Sequence, residues 1–416
     1  MLTRRRHPLA TLAVALATLA VAAGALSACG NAGAAEHPSP TAPYGTYSAA
    51  AAEARLAELA ARMTERIADL PVDSTRVPRT MEPDGSMRGV TTRDWTSGFF
   101  AGTLWMLAES AGKQDLRDAA EAWTPFMVKE QFDDHTHDLG FKLNNSLGKA
   151  MAAGGFDHYA PAIKQASDML LIRFDPDVGT IRSWDWGKKY GWQHPTIIDN
   201  MMNLEMLFEV TRATGDSTYW KVAESHADRT LAEHFRDDYS SFHVVDYDTL
   251  TGAVRSRVTH QGIADESAWS RGQAWGLYGY TMAYRYTRKP KYLEQARKLA
   301  DYFFGHPNTP ADRIPYFDFD APAGDDTPRD ASAAALAASA VIELAEYDPA
   351  RRDFYLRNAD AILSSLERPE YQAQAGPFLI TKATGNYPKD DEIDAPINYA
   401  DYYYVEALQR RADVSD

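Results

Sequence analysis

Residue types that do chemistry are concentrated in short blocks of this 416-residue chain. These blocks combine Asp, Trp, His and Arg with small residues, and nearly all stand at or just before the start of a stretch with helical periodicity. The blocks are Asp94–Gly98, His137–Phe141, Pro195–Asn200, Trp269–Trp275 and Pro328–Asp330. Carboxyl groups transfer protons, tryptophan rings can stack on sugar rings, and arginine can hold a carboxylate through two parallel hydrogen bonds. The blocks therefore indicate acid–base chemistry on an acidic, ring-shaped ligand.

The aspartates of these blocks are the candidate proton-transfer groups. Asp94, Asp138 and Asp330 each stand at the start of a predicted helix, where aspartate often serves only as an N-cap. Asp199 is different, because it falls in the first turn of a largely apolar predicted helix. A buried carboxyl group there needs a partner or has a raised pKa, which is typical of a general acid.

Aromatic and basic residues accompany the aspartates. The guanidinium of Arg271 could either pair with one of the aspartates or hold a ligand carboxylate. His243 and His260 precede this block, and each could equally be a structural residue or a ligand contact. Six of the nine tryptophans lie beside helix starts or in one loop, more than core packing requires: Trp95, Trp184, Trp186, Trp192, Trp269 and Trp275.

Charge and motif content exclude several classes of function. The formal net charge of −15 argues against a protein that binds nucleic acid or anionic membranes nonspecifically. No His, Asp or Glu group has the spacing of a zinc or calcium site, and no glycine-rich phosphate loop or serine nucleophile elbow is present. We therefore expect no metal and no organic cofactor.

The blocks must be positioned by helices, because apolar residues recur at three- and four-residue spacing from residue 47 onward. Short links join the helices into antiparallel pairs. Longer links contain β-like fragments, of which 242–247 alternates as a short strand. The predicted helices are at about 47–69, 96–111, 115–131, 142–153, 156–172, 196–214, 216–235, 270–287, 290–305, 330–346, 350–366 and 397–412.

Composition divides these helices into two sets. One member of each pair carries few charges and is rich in small and aromatic residues, as a buried helix is, whereas the other is charged along one side. This alternation predicts an all-α fold, an (α/α)6 toroid in which six helical hairpins form an inner and an outer ring. A two-domain helical array is the alternative, although no Pro- or Ser-rich linker interrupts residues 47–412. In a toroid the starts of the inner helices, with their partial positive charge, gather at one end.

Residues 1–29 have the pattern of a signal peptide. Arg4–Arg6, which could also indicate twin-arginine export, precede an Ala/Leu/Val-rich stretch, and Leu26–Cys29 resembles a bacterial lipobox. Cys29, the only cysteine, is then the lipid-attachment residue; the alternative is an incidental cysteine near the cleavage point. Residues 30–46 are predicted to be a flexible tether and 47–416 the catalytic domain. We expect export, with the protein either lipid-anchored on the outer face of the cytoplasmic membrane or secreted.

The order of the blocks resembles that of one known family, the unsaturated glucuronyl hydrolases, glycoside hydrolase family 88. The resemblance spans residues 94–408, and several blocks together are more specific than any single one. The fold of this family is an (α/α)6 barrel, in agreement with the helix count. The matching segments are Asp94–Phe100, His137–Phe141, Ile197–Leu204, Arg271–Tyr278, Arg329–Ala333 and Ala400–Leu408.

The resemblance implies a substrate and a reaction. Family members remove a non-reducing-end uronate with a C4=C5 double bond from oligosaccharides made by polysaccharide lyases. Asp199 matches the general acid and base, which protonates C4 and activates the water that adds at C5, and Asp138 matches the second essential carboxylate. The carboxylate separation that distinguishes retaining from inverting glycosidases does not apply to such a hydration. The substrate-binding residues implied by the match are Trp95, Trp184, His243, Gln261, Arg271 and Trp275.

Three other functions remain open from the sequence. An unsaturated rhamnogalacturonyl hydrolase shares the fold and chemistry but acts on pectin fragments, and the Arg271–Trp275 block favours the glucuronyl branch. A non-catalytic lipoprotein that captures acidic oligosaccharides is another alternative. The presence of both Asp138 and Asp199 argues against it, because binding alone does not require carboxyl groups that face an anionic ligand. An ordinary inverting glycosidase on the same toroid would cleave saturated substrates.

Overall fold

The computed structural model describes residues 47–414. The expected signal peptide 1–29 with Cys29 and the expected tether 30–46 lie outside the described residues. The described part contains twelve α-helices, the number predicted, and none of them is both long and apolar enough to cross a membrane. They are α1 (Ala49–Ile67), α2 (Ser97–Ala111), α3 (Gln114–Trp123), α4 (Lys149–Ala152), α5 (Ala160–Ile172), α6 (Leu204–Thr214), α7 (Ser217–Glu233), α8 (Ser270–Thr287), α9 (Pro290–Gly305), α10 (Ala331–Tyr347), α11 (Arg352–Leu366) and α12 (Asn398–Asp413).

The helices form an inner and an outer layer. Even-numbered helices, together with the helical turns that precede α4 and α6, pack side by side until α12 meets α2 and closes the ring. Residues Ala331–Ala345 of the inner α10 are all buried, whereas the outer α9 buries one side, which carries Leu293, Ala296 and Leu299. Six helical hairpins arranged in this way form an (α/α)6 barrel, as predicted.

Short strands occupy several links between the helices. They form two hairpins, β1–β2 and β3–β4, and one antiparallel sheet in the order β5–β6–β7. The β1–β2 hairpin was not predicted, because neither of its segments alternates apolar and polar residues. The strands are β1 (Val77–Met81), β2 (Met87–Val90), β3 (Phe174–Asp175), β4 (Thr180–Ile181), β5 (His194–Ile197), β6 (Val244–Tyr247) and β7 (Val254–Val258).

The helix expected at 196–214 begins only with α6. The preceding residues complete β5 and then form a 3₁₀ helix, Ile198–Asn203. The β-branched side chains of Thr196 and Ile197 favour a strand, and β5 is paired with β6. Asp199 therefore lies in a 3₁₀ turn rather than in the first turn of an α-helix.

Irregular turns shorten three other predicted helices. The 3₁₀ helix Thr124–Phe132 follows α3, the π-helix Gly140–Gly148 precedes α4, and the 3₁₀ turn Asp157–Tyr159 precedes α5. The strand expected at 242–247 is also shorter than predicted. All four residues of β6 are buried instead of alternating, because β6 is the middle strand of its sheet and is covered on both faces.

Candidate active site

The starts of several inner helices meet at a cavity of about 440 Å³. Asp94 and Trp95 precede α2, Asp138 precedes the π-helix, and Tyr399 lies in the first turn of α12. This arrangement agrees with the expectation that the chemical blocks gather at one end of the barrel. Loop residues complete the lining: Arg79, Arg93, His135, Thr136, Trp184, Trp186, His260, Gln261, Gly385, Asn386, Lys389, Asp391 and Glu392.

A larger cavity of about 920 Å³ is lined by residues from the later turns of α2, α8 and α12, and neither candidate catalytic aspartate lines it. Asp138 lines the smaller cavity, whereas Asp199 is not among the lining residues and lies beside His243. Its arginines are paired, because Arg285 contacts Glu205 and Glu343, and Arg410 contacts Glu343. Within residues 47–414, no cluster of three or more His, Cys, Asp or Glu residues is arranged to hold a metal ion. We therefore place the candidate site at the smaller cavity.

The carboxyl group of Asp199 is a weaker acid than that of an ordinary aspartate. Burial raises its pKa to about 7; Asp138 contributes to the rise, and Arg271 and a backbone hydrogen bond oppose it. Its side chain is 9% exposed, and Oδ2 has no hydrogen-bond partner among the described residues. A carboxyl group with this pKa is present in both protonation states near neutral pH, so it can both donate and accept a proton.

The β5–β6 pair places His243 beside Asp199. The amide of Ile198 donates a hydrogen bond to the carbonyl oxygen of His243 at 3.1 Å. The amides of His260 and Gln261 donate to Nδ1 of His243 at 3.1 and 3.2 Å, so Nε2 is the nitrogen that carries the hydrogen. This Nε2 lies 3.8 Å from Oδ2 of Asp199. Since burial holds the pKa of His243 well below its usual range, the ring is a neutral donor that faces the carboxyl group.

Asp138 lies at the cavity wall and is held by its neighbours. Its Oδ2 accepts a hydrogen bond from Oγ1 of Thr136 at 2.7 Å, and its Oδ1 lies 3.2 Å from Nε2 of His137. Burial lowers the pKa of His137, so this histidine is neutral at physiological pH and the contact is not an ion pair. Asp138 thus presents a fixed carboxylate to the cavity.

One amide side chain connects the segments that carry the two aspartates. Oδ1 of Asn203 accepts hydrogen bonds from the amides of Gly140 and Phe141 at 2.8 and 3.2 Å. A Cβ atom on Gly140 would lie 2.7 Å from Oδ1 and 2.8 Å from Cα of Asn203, so only glycine fits this approach. Asn203 ends the 3₁₀ helix of Asp199, and Gly140 begins the π-helix after Asp138. We therefore infer that this contact helps to set the separation of the two carboxyl groups.

Three of the expected substrate contacts line the cavity. Trp95 and Trp184 contribute their rings, and Trp184 meets the ring of His243 edge-on with centroids 5.8 Å apart. The side-chain amide of Gln261 donates to the carbonyl oxygen of Gly385 at 3.0 Å and so connects two cavity walls. His243 itself is 3% exposed and lies behind the wall, next to Asp199.

Arg271 is not the free carboxylate-binding fork that was expected. Its NH1 group donates to Oδ2 of Asp330 at 2.7 Å and to the carbonyl oxygen of Thr384, and its NH2 group donates to that of Gly385. The side chain is 1% exposed and does not line the cavity. The structure thus shows the pairing with an aspartate that the sequence left open. In this position the guanidinium fixes the loop that forms one wall of the cavity.

Trp275 also differs from the expectation. Its ring is fully buried and packs against Phe141 and Tyr403, with centroids 5.1 and 5.5 Å apart. It lies one helical turn beyond the start of α8, where the inner helices are already packed together. Protein atoms therefore cover the face that was expected to stack on a ligand.

Residues that the sequence did not single out complete the site. The buried hydroxyl of Tyr399 has no hydrogen-bond partner among the described residues, and the guanidinium of Arg271 lies 5.1 Å from its ring centroid. Arg79 in β1 binds Asp94 at 2.7 Å and Glu392 at 2.6 Å, and so joins the β1–β2 hairpin to the opposite loop. Tyr399 could have been found, since it begins an inner helix. The sequence did not indicate that Arg79 and Glu392 belong to the site, because both lie outside any segment with a regular apolar period.

Comparison with known proteins identifies relatives of the whole domain, although no protein-family model matches the chain. The chain is 44% identical to an unsaturated glucuronyl hydrolase of Formosa agariphila, over 84% of this chain and 88% of that protein. It is 33% identical to an unsaturated chondroitin disaccharide hydrolase of Streptococcus pneumoniae, over 76% of this chain and 81% of that protein. The crystal structure of an unsaturated glucuronyl hydrolase specific for heparin superposes with a TM-score of 0.83 at 43% identity, over 87% of this chain and 97% of that one.

These similarities extend over most of the barrel rather than over one motif. They are found both in the amino-acid sequence and in the fold. The chain therefore belongs to the unsaturated glucuronyl hydrolases, glycoside hydrolase family 88.

Proposed function

We propose that this enzyme removes a 4,5-unsaturated uronic acid from the non-reducing end of oligosaccharides that lyases release from glycosaminoglycans. In this proposal Asp199 is the general acid and base, and Asp138 holds the ring hydroxyls of the uronate. The observation that carries it is the buried Asp199 carboxyl group, with a pKa of about 7, beside the neutral donor His243.

Hydration of the double bond requires only one proton-transferring group. Protonated Asp199 gives its proton to C4, and water adds at C5 while its own proton returns to Asp199. The resulting hemiketal opens to a ketone at C5 and leaves a hemiacetal at C1. This hemiacetal breaks down to an aldehyde and releases the rest of the oligosaccharide as an alcohol. One water is consumed, and Asp199 is regenerated.

The surroundings of Asp199 support both halves of this cycle. Burial favours the protonated form, so a proton donor is available near neutral pH. After the proton has left, the positive charge of Arg271 favours the carboxylate. In this proposal Arg271, which is buried and paired with Asp330, acts on the reaction through the charge of Asp199.

The relatives and the cavity support a glycosaminoglycan fragment as substrate. One relative is named for chondroitin disaccharides, and one similar structure is of an enzyme specific for heparin. The cavity is lined by both acidic and basic residues, and Arg93 and Lys389 are the lining residues that an acidic substituent on the next sugar would meet favourably. The same relatives favour the glucuronyl branch over the rhamnogalacturonyl branch.

The test is loss of the near-ultraviolet absorbance of the conjugated C=C–COO⁻ group. Purified enzyme is mixed separately with unsaturated disaccharides from chondroitin, hyaluronan and heparin and with unsaturated rhamnogalacturonides from pectin. We expect loss of absorbance with at least one glycosaminoglycan disaccharide. Loss with the pectin fragments alone would identify a rhamnogalacturonyl hydrolase, and no loss with any of them would favour a non-catalytic binding protein.

We also propose that the enzyme is exported and anchored to the outer face of the cytoplasmic membrane through a lipid on Cys29. Support comes from the basic residues Arg4–Arg6, the apolar stretch that follows and the lipobox-like Leu26–Cys29. The Gly-, Ala- and Pro-rich residues 30–46 are then a tether that lets the barrel reach oligosaccharides outside the cell.

A further inference from the structure

An aromatic surface continues from the active-site cavity to the solvent. Trp184 and Trp186 both line the cavity, and their rings are stacked with centroids 4.4 Å apart. Tyr190 lies 5.9 Å from Trp186 and is not part of the cavity lining. Trp186 and Tyr190 are 40% and 51% exposed. Trp184, Trp186 and Tyr190 are called the aromatic platform below.

The loop that carries the aromatic platform is fixed by the protein around it. Asp185, between the two tryptophans, accepts hydrogen bonds from Arg173 at 3.1 Å and from Arg182 at 3.0 Å. Trp192 packs directly against Gly187, where a Cβ atom would lie only 2.9 Å from the indole ring. Rings held in this way lose little conformational entropy when a ligand binds. The exposed rings therefore form a surface built for contact.

The surroundings of the aromatic platform are polar and positive. Nζ of Lys189 lies 5.1 and 5.0 Å from the ring centroids of Trp186 and Tyr190, and Lys188 is exposed beside it. Two exposed rings, bordered by the half-buried ring of Trp192 and by these lysines, are too small a patch for a protein interface. They fit a saccharide that displaces Lys189 from over the two rings and packs against them, while its carboxylate or sulfate groups pair with the lysines.

We propose that the aromatic platform binds sugars beyond the first one after the unsaturated uronate, so that tetrasaccharides are better substrates than disaccharides. This inference rests on the proposed function, because the uronate must occupy the cavity near Asp138 and Asp199. An oligosaccharide that leaves the cavity along the wall formed by Trp184 and Trp186 reaches Tyr190 next.

The test compares kcat/KM of the full-length enzyme for the unsaturated disaccharide and tetrasaccharide of the polymer it hydrolyses. We expect wild type to prefer the tetrasaccharide by roughly three- to tenfold, the range expected for one or two ring contacts. In Trp186→Ala and in Tyr190→Ala the ratio should fall toward one. Phe132→Ala is the matched control, because Phe132 is an exposed ring (63%) that does not line the cavity.

Each outcome decides a different question. A wild-type ratio near one, a ratio that survives in both platform variants, or an equal fall in Phe132→Ala would overturn the role of the platform. Hydrolysis of the disaccharide would still support the proposed function in these cases. If wild type consumed neither substrate, the proposed function would be overturned together with the inference that rests on it.

Discussion

At the scale of single residues, several buried polar atoms at the site have no protein partner. Oδ2 of Asp199, Nε2 of His243 and the hydroxyl of Tyr399 make no hydrogen bond within residues 47–414. Buried polar groups are normally paired, because an unmade hydrogen bond costs about 1–3 kcal/mol. All three lie at or directly behind the cavity wall, so we infer that bound substrate and the attacking water supply the missing partners.

Removing one of these atoms tests this inference. Tyr399→Phe deletes the hydroxyl but keeps the ring, which stacks on Trp95 with centroids 5.0 Å apart. We expect KM to rise about tenfold, because a hydrogen bond to a charged substrate group is lost, and the melting temperature to stay the same or rise. Steady-state kinetics and thermal unfolding check both. An unchanged KM would mean that the hydroxyl does not touch the substrate.

The raised pKa of Asp199 also affects stability. It is about 7 in the folded protein against 3.8 for an ordinary aspartate, so the folded state binds this proton more tightly. The resulting stabilisation is complete below about pH 4 and is lost as the pH rises through 7. Between pH 5 and pH 8 the free energy of unfolding of wild type should therefore fall by about 2.6 kcal/mol more than that of Asp199→Asn, which has no such proton.

Denaturant unfolding of both proteins at the two pH values gives this difference. Burial raises the pKa of Asp401 to about 7 as well, so this residue adds a similar pH dependence to the stability of both proteins. Because it is present in both, its contribution cancels in the comparison. An identical fall in wild type and variant would show that Asp199 has an ordinary pKa.

At the scale of elements, the geometry of the site depends on how the π-helix Gly140–Gly148 meets the 3₁₀ helix Ile198–Asn203. Gly140→Ala forces these two elements apart at Asn203 and so separates Asp138 from Asp199. A shift of about 1 Å in reacting groups can lower a rate by about 100-fold. We therefore expect a fall in kcat of about ten- to 100-fold, measured at saturating substrate.

Two further variants make this prediction specific. Gly324→Ala is the control, because a Cβ atom at Gly324 meets no atom within 4 Å, and its kcat should equal that of wild type. Asn203→Ala removes the bridging amide without adding atoms and should also lower kcat. If folded Gly140→Ala and Asn203→Ala both kept the wild-type kcat, this contact would not control the separation of the aspartates.

The elements also show how far the sequence could be interpreted. The bounds of α8 and α9 could be predicted, because their apolar residues follow a regular period and Pro290 begins α9 at the expected position. The 3₁₀ and π-helical turns around Asp138 and Asp199 could not, since they depend on tertiary contacts such as that of Asn203. The structural role of Arg271 could not be assigned either, because its partner Asp330 caps another inner helix, far along the chain.

At the scale of the whole molecule, the proposed lipid anchor determines where the barrel works. Cys29→Ser removes the thiol that would be acylated, while Ser27→Ala keeps a small residue in the lipobox-like segment and serves as control. We expect wild type and Ser27→Ala to partition into the detergent phase of membrane extracts and Cys29→Ser to partition into the aqueous phase. Aqueous partitioning of wild type, or detergent partitioning of Cys29→Ser, would contradict the anchor.

The central claim is that Asp199 is a buried acid whose proton starts the hydration, and the pH dependence of kcat/KM tests it most directly. This profile reports the pKa of the free enzyme. We predict that wild-type kcat/KM on the preferred unsaturated disaccharide falls about tenfold per pH unit above pH 7, as Asp199 loses its proton. Asp199→Asn should be about 1,000-fold slower at pH 6. A wild-type profile that stays flat from pH 6 to pH 8.5, or an Asp199→Asn variant within tenfold of wild type, would contradict the account.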